Sequence, residues 1–213
     1  MKTIGHRRRL RIGVLPPLPS GPLSKLLNSF QQANPGIEVE VADGHCDGWC
    51  HCEQTFGLLA EGDRDAVISI VNESVASKYA SRALFNFPYM LTVRSDHRFA
   101  EQRSVTIGDL VNESLILPQR CTFLQDVTNA LTSLGRAARI IYRTDHDDWA
   151  LELVAAGLGL AFVPGFFKIS TIKQVPVSGL GISRTVGLVW QRERENDDLK
   201  KFAAFAENHG WAQ

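Results

Sequence analysis

The chain has 213 residues, with Lys+Arg 23 balanced by Asp+Glu 23 and 44% hydrophobic residues, which describes a folded chain of one or two globular domains. A formal net charge of +0, with apolar residues spread along the whole length, excludes low-complexity disorder and argues against a nucleic-acid surface in this chain. No apolar run approaches the about 20 residues a membrane span needs, the basic start at residues 1–9 lacks a signal-peptide h-region, and the four cysteines are too few for a disulfide scaffold, so a cytoplasmic protein with reduced thiols is expected.

Leu10, Ile12 and Val14 alternate with Arg11 and Gly13, predicting a strand that ends in the proline-rich loop 15–22. Leu23, Leu26, Leu27 and Phe30 then recur at helical spacing, Pro22 suits a first turn, and Asn34-Pro35-Gly36 stops the pattern, predicting a helix over about 22–34. Ile37, Val39 and Val41 read as a second strand, Phe56 to Ala60 closed by Gly62 as a short helix, and Ala66 to Val71 as a third strand. This β-α-β-α-β order points to a parallel sheet.

Arg82–Phe87 and Pro88–Val93 read as two extended runs. Ser114 to Leu117 is a strand, Phe123, Leu124, Val127, Leu131 and Leu134 form a helical stripe closed by Gly135, and Ile140 to Tyr142 is the next strand. A helix beginning at Asp145 or His146, with Trp149, Leu153 and Val154 as apolar residues, ends at Gly157 before a strand over 158–163. Strands near Ile172–Val177 and Thr185–Trp190 follow, then a terminal helix with Leu199, Phe202, Ala203 and Ala206 at helical spacing. Two α/β units joined by two crossings predict a bilobal protein with a cleft, and clefts at such sheet ends bind small molecules.

Taken in register, Leu10-Arg11-Ile12-Gly13-Val14, Asn34-Pro35-Gly36-Ile37-Glu38-Val39, Leu59-Ala60-Glu61-Gly62-Asp63, Val93-Arg94-Ser95-Asp96-His97, Leu153-Val154-Ala155-Ala156-Gly157-Leu158-Gly159 and Val186-Gly187-Leu188-Val189-Trp190 resemble the effector-binding region of LysR-type transcriptional regulators. The resemblance implies an α/β chain of two Rossmann-like lobes with a hinge and an interlobe cleft, the type 2 periplasmic-binding-protein fold. It divides the chain into a tail or linker remnant at 1–9, lobe I at 10–93 and 163–213, and lobe II at 94–162. It also implies a homodimer or higher homo-oligomer, an anionic small-molecule effector, no membrane partner, and contact with DNA only through an N-terminal helix-turn-helix domain absent from this chain.

The loop that opens the first helix presents backbone N–H groups suited to a carboxylate. In the resembling family this loop carries Ser or Thr that binds the effector; here Pro16, Pro17 and Leu18 stand at those positions, leaving Ser20 and backbone donors. By the same resemblance Ser69 and Ile70, and Thr92 at the crossing between lobes, border the effector. On the second lobe Arg120 and Thr122 lie between a strand and a helix, where Arg120 suits bidentate pairing with a carboxylate or phosphate, against the plainer reading of a solvated loop arginine. Asp145 and His146 occupy the same kind of junction, either as helix caps or as ligand contacts.

Residues 44–53 are the least family-like part of the chain and read as an insertion. Cys46, Cys50, His51 and Cys52, with His45, supply soft ligands for Zn²⁺ or Cu(I), or a redox pair; inert reduced thiols are the other reading. No cofactor is otherwise expected. No G-x-S-x-G, H-E-x-x-H or G-x-x-x-x-G-K-[ST] pattern occurs, and Gly157-Leu158-Gly159 lacks the third glycine of a dinucleotide fingerprint, so no enzymatic activity is expected. The reading is therefore an effector-sensing regulatory domain, with a solute-binding protein of a transport system as the alternative.

Overall fold

The computed structural model describes residues 8–15, 17–43, 53–117, 127, 129, 131–133, 139–144 and 146–211. The chain divides into two compact units, Met1–Asn86 with Thr185–Gln213, and Phe87–Arg184. The return crossing thus falls between Arg184 and Thr185 rather than near 163. The reason is pairing: the strands after 163 add to the second unit's own strands before the chain leaves it.

In the first unit β1 (Arg8–Val14) lies between β2 (Ile37–Asp43) and β3 (Ala66–Val71), all parallel. The closing strand β11 (Ser183–Trp190) runs antiparallel to β3, with Ser69 opposite Gly187. Helix α1 (Ser20–Ala33) buries Pro22, Leu26 and Phe30 along one stripe. It starts two residues before the expected position, because Pro22 is accommodated anywhere in a first turn whose N–H groups have no helical partner. Asn34 ends it, both its backbone N–H and its side-chain amide donating to the Phe30 carbonyl. Phe30 meets Phe202 and Phe205 of the terminal helix α5 (Asp197–Glu207) edge-to-face, with ring centroids 5.0 and 5.4 Å apart.

On the other sheet face, Leu15, Leu59, Val67 and Val189 form a buried cluster lined by Phe56, Val75 and Tyr79. This cluster seats α2 (Glu53–Glu61) and a short helix α3 (Glu73–Lys78) that the sequence reading missed. A six-residue helix has no long periodic pattern to show; it is held by its ends, where Asn72 Oδ1 accepts the Val75 N–H at 2.9 Å and Arg192 donates to the Ala76 and Tyr79 carbonyls. Gly62 closes α2 with φ +88°, a conformation that favours glycine.

The second unit places β8 (Leu160–Pro164) beside β6 (Ser114–Leu117), which pairs in turn with β7 (Arg139–Arg143), all parallel. The runs expected on either side of Pro88 are one continuous strand, β4 (Ala80–Arg94), antiparallel to β8 and to β9 (Ile172–Val175). Pro88 does not break it because Tyr89 faces Pro164, the last residue of β8, so the missing N–H falls where that ladder ends. The expected strand Ile172–Val177 is two: β9 stops before Pro176, and β10 (Val177–Ser178) pairs instead with β5 (Val105–Thr106). β5 leads into a 3-10 turn (Ile107–Leu110) closed by a reciprocal Thr106–Asp109 cap. The Thr106 backbone N–H and hydroxyl hold the Asp109 carboxyl below the usual carboxylate range, so the cap persists as pH falls until that lowered value is crossed.

Helix α4 (Asp147–Ala155) buries Ala150, Leu151 and Val154 against Ile116, Ala161, Val163 and Ile172. Trp149, expected among the apolar residues of this helix, is 57% exposed, because the stripe that meets the sheet runs through 150, 151 and 154. Of the predicted stripe before it, Val127 and Leu131 are buried; Phe123, Leu124, Leu134 and Gly135 lie outside the described residues.

Candidate functional site

Parallel strands bring their carboxyl ends, and the loops that leave them, to one edge of a sheet. In the first unit β1 and β3 are neighbours, and the Leu15 N–H donates to the Ile68 carbonyl at 2.9 Å. That bond sets Leu15, where the chain leaves β1, beside Ser69. Pro17 and Leu18 are half-buried in the loop, and Ser20 is exposed as the first residue of α1. Ser69 is 4% exposed, and among the described residues its hydroxyl makes one long 3.4 Å approach, to the Ile70 carbonyl. Ile70 is half-buried opposite Val186. Helix α1 begins on Pro19 with no side-chain cap and no acidic residue in its first turn. Among the described residues no side-chain cap or first-turn carboxylate compensates its positive end.

In the second unit the carboxyl ends of β6, β7 and β8 share an edge. The Thr144 N–H, just past β7, donates to the Leu117 carbonyl at 3.0 Å, which brings Thr144 beside the end of β6. Thr144 is buried, and its hydroxyl accepts the His146 N–H. His146 stands exposed at the head of α4 with no side-chain capping bond, its ring 6.0 Å from that of Trp149. Arg120, Thr122 and Asp145 lie outside the described residues, as do Cys46, Cys50, His51 and Cys52. Among the described residues no group of three or more His, Cys, Asp and Glu could hold a metal ion.

Thr92 is placed differently from the expectation. The crossing from the first unit lies between Asn86 and Phe87, and Thr92 sits well past it, paired with Ala161 on one side and Gln174 on the other. Directly opposite residues share a sheet face, so Thr92 shares that of Ala161, which packs under α4. It is fully buried, and among the described residues its hydroxyl has no partner. Thr92→Val, which removes the orphan hydroxyl at nearly constant shape, is expected to stabilise the protein by about 1–3 kcal/mol in urea titrations while leaving ligand binding unchanged.

One group at this edge was missed by the sequence reading. Phe166 and Phe167 follow the end of β8, their rings 4.8 Å apart, and Phe87 packs against Phe166 at 5.3 Å and Tyr89 at 5.5 Å. The signal was the Gly165-Phe166-Phe167 run immediately after a buried strand, an aromatic pair in a loop position.

Comparison with known proteins gives this edge its context. Relatives include the uncharacterised HTH-type transcriptional regulator YwbI of Bacillus subtilis, 24% identical over 197 residues, covering 89% of this chain and 62% of that protein. The DNA-binding transcriptional dual regulator OxyR of Escherichia coli is 27% identical over 192 residues, 85% of this chain and 59% of OxyR. The chain thus spans about three fifths of the length of these relatives. Among solved structures, the C-terminal domain of a probable LysR family regulator from Rhodococcus sp. RHA1 superposes with TM-score 0.77 at 19% identity, over 93% of this chain and 98% of that one. The BenM effector-binding domain with its effector benzoate superposes with TM-score 0.74 at 23% identity, over 93% and 90%. These likenesses show the type 2 periplasmic-binding-protein-like fold, and the relatives are regulators rather than transport proteins. The LysR substrate-binding domain family matches residues 4–211, nearly the whole chain, and the chain belongs to that family.

Proposed function

We propose that the chain is the effector-sensing part of a cytoplasmic transcription regulator, holding a small anionic molecule at the loops that leave its parallel strands and acting on DNA through another part of the regulator. The observations that support this best are the start of α1 without a side-chain cap and the buried Ser69 hydroxyl, which belong to the neighbouring parallel strands β1 and β3. An uncompensated helix start favours an anion, and a hydroxyl short of partners gains a full hydrogen bond from a carboxylate. BenM's effector, benzoate, is such a carboxylate. The relatives are transcriptional regulators, and no catalytic role is proposed. Among the described residues no helix is long and apolar enough to cross a membrane.

The test is a thermal-shift screen of small carboxylates, followed by calorimetric titration of any hit against Ser69→Ala and Arg120→Ala. Arg120→Ala is expected to weaken an anionic effector by about 1.5–3 kcal/mol, the value of a hydrogen bond to a charged group, with no loss of stability. Unchanged affinity in both variants would remove the proposed hold. Effector binding acts by favouring one arrangement of the regulator over another, by no more than its difference in affinity for the two. The arrangement proposed to respond is a homodimer, so sedimentation at micromolar concentration is expected to show a two-chain species; a sharp monomer would contradict it.

A further inference from the structure

We propose that the Gln31 side chain closes the free edge of the first unit's sheet by standing in for one residue of a neighbouring parallel strand, and so blocks strand addition by a second copy of the chain. Among the described strands β2 pairs with β1 alone, which leaves its other side as an edge. The Arg8 N–H donates to the Gly36 carbonyl, so the backbone groups of Gly36, and with it Glu38, Glu40 and Ala42, turn toward β1. In a parallel ladder alternate residues turn their N–H and C=O to opposite sides, and those of Ile37, Val39 and Val41 therefore point outward. The Gln31 amide meets the first of them: its Nε2 donates to the Ile37 carbonyl at 2.7 Å, and its Oε1 accepts the Val39 N–H at 3.3 Å. One donor and one acceptor, offered to residues i and i+2 of the same strand, are what a residue of an added parallel strand would supply.

The chain path puts this amide in place. Gln31 lies in the last turn of α1, only Asn34, Pro35 and Gly36 separate that helix from β2, and the Ile37 N–H closes the link on the Asn34 carbonyl at 2.9 Å. An open edge is a template for pairing with another chain, and β2 has few of the ordinary defences. Its seven residues run in unbroken register with β1, without Pro, Lys or a bulge, and the carboxylates of Glu38 and Glu40 both lie against the Arg9 guanidinium. By contrast β7, which pairs with β6 alone among the described strands, carries Arg139 and Arg143 at its ends and a register shift. Charge and irregularity defend that edge; a side chain defends this one. With Gln31 seated, an incoming strand can pair only along the stretch from Val41 to Asp43, well short of the about five or six residues of an ordinary strand.

The experiment is residue-resolved amide hydrogen exchange together with sedimentation of the full chain, comparing the parent with Gln31→Ala and Gln31→Asn. Alanine favours the helix and removes the amide, so α1 is not weakened; asparagine keeps the amide on an arm one carbon too short to reach both groups. In the parent the Val39 N–H is expected to exchange at least about tenfold more slowly than the Val41 N–H. In dilute Gln31→Ala the two are expected to exchange alike, while Glu40, bonded to β1, is unchanged. On concentration both variants are expected to form species larger than the parent's largest, and in these the Val41 N–H becomes protected, as pairing with an added strand requires. Taking the parent's own largest species as the reference keeps this result separate from the proposed homodimer. Unaltered Val39 exchange in Gln31→Ala, variants no larger than the parent at matched concentration, parent-like behaviour of Gln31→Asn, or association that leaves the Val41 N–H open would each overturn the role given to Gln31.

Discussion

Phe30→Ala is expected to lower stability by about 3–5 kcal/mol, read as a lower urea midpoint at unchanged slope. The ring is fully buried, and two aromatic partners from α5 meet it edge-to-face. Truncation forfeits the transfer energy of the ring and leaves a cavity whose walls, set by Leu26 within α1 and Phe202 within α5, cannot close without moving a helix. Phe30→Leu, which keeps most of the volume, is expected to recover a large part of the loss. A cost near 1 kcal/mol for the alanine variant would mean that α1 and α5 are not packed through this ring.

Gly187→Ala carries the second large effect, and it bears on the candidate site. A Cβ at 187 would stand 2.7 Å from Val71 Cγ2 and 2.8 Å from the Arg82 carbonyl oxygen, so backbone has to move on at least one side. Overpacking of this kind costs about 1–3 kcal/mol. Because Gly187 faces Ser69, the displacement reaches the strand that carries the buried hydroxyl. The variant is expected to melt lower and to respond less to any carboxylate that stabilises the parent, a double loss that a surface change would not produce. A melting temperature equal to the parent's would show that β3 and β4 yield here without cost.

Much of this architecture was readable in the residues. Where apolar positions repeat at period 2 or 3.6 over a full element, as in Leu10–Val14 or Leu199–Ala206, the element was found where expected. The misreadings share a cause: they turn on partners remote in sequence. Pro88 looks like a break until its place beyond the end of β8 is known; α3 is held by Arg192, 116 positions from Ala76. The unit boundary moved for the same reason, since pairing of β9 with β4 decides where 172–175 belong. At the candidate edge the loop leaving β1 could be read from the residues, because the alternation of Leu10–Val14 followed by the prolines marks a strand end, whereas Ser69 was singled out by the family resemblance alone. The face on which Thr92 lies could not be read there, because its opposite neighbours Ala161 and Gln174 set it.

The two units differ in how the ribosome delivers them. Phe87–Arg184 is one unbroken stretch, whereas the other unit is assembled from Met1–Asn86 and Thr185–Gln213. Its strand β11 is completed, and the Phe202 and Phe205 rings that cover Phe30 are synthesised, only after the whole of Phe87–Arg184. During translation the later-encoded unit can therefore complete its sheet first, while the earlier-encoded one waits with β3 unpaired along one edge and α1 uncovered. A nascent chain of this design exposes the segment before Phe87 longest, and chaperone contact or premature cleavage should concentrate there until α5 emerges.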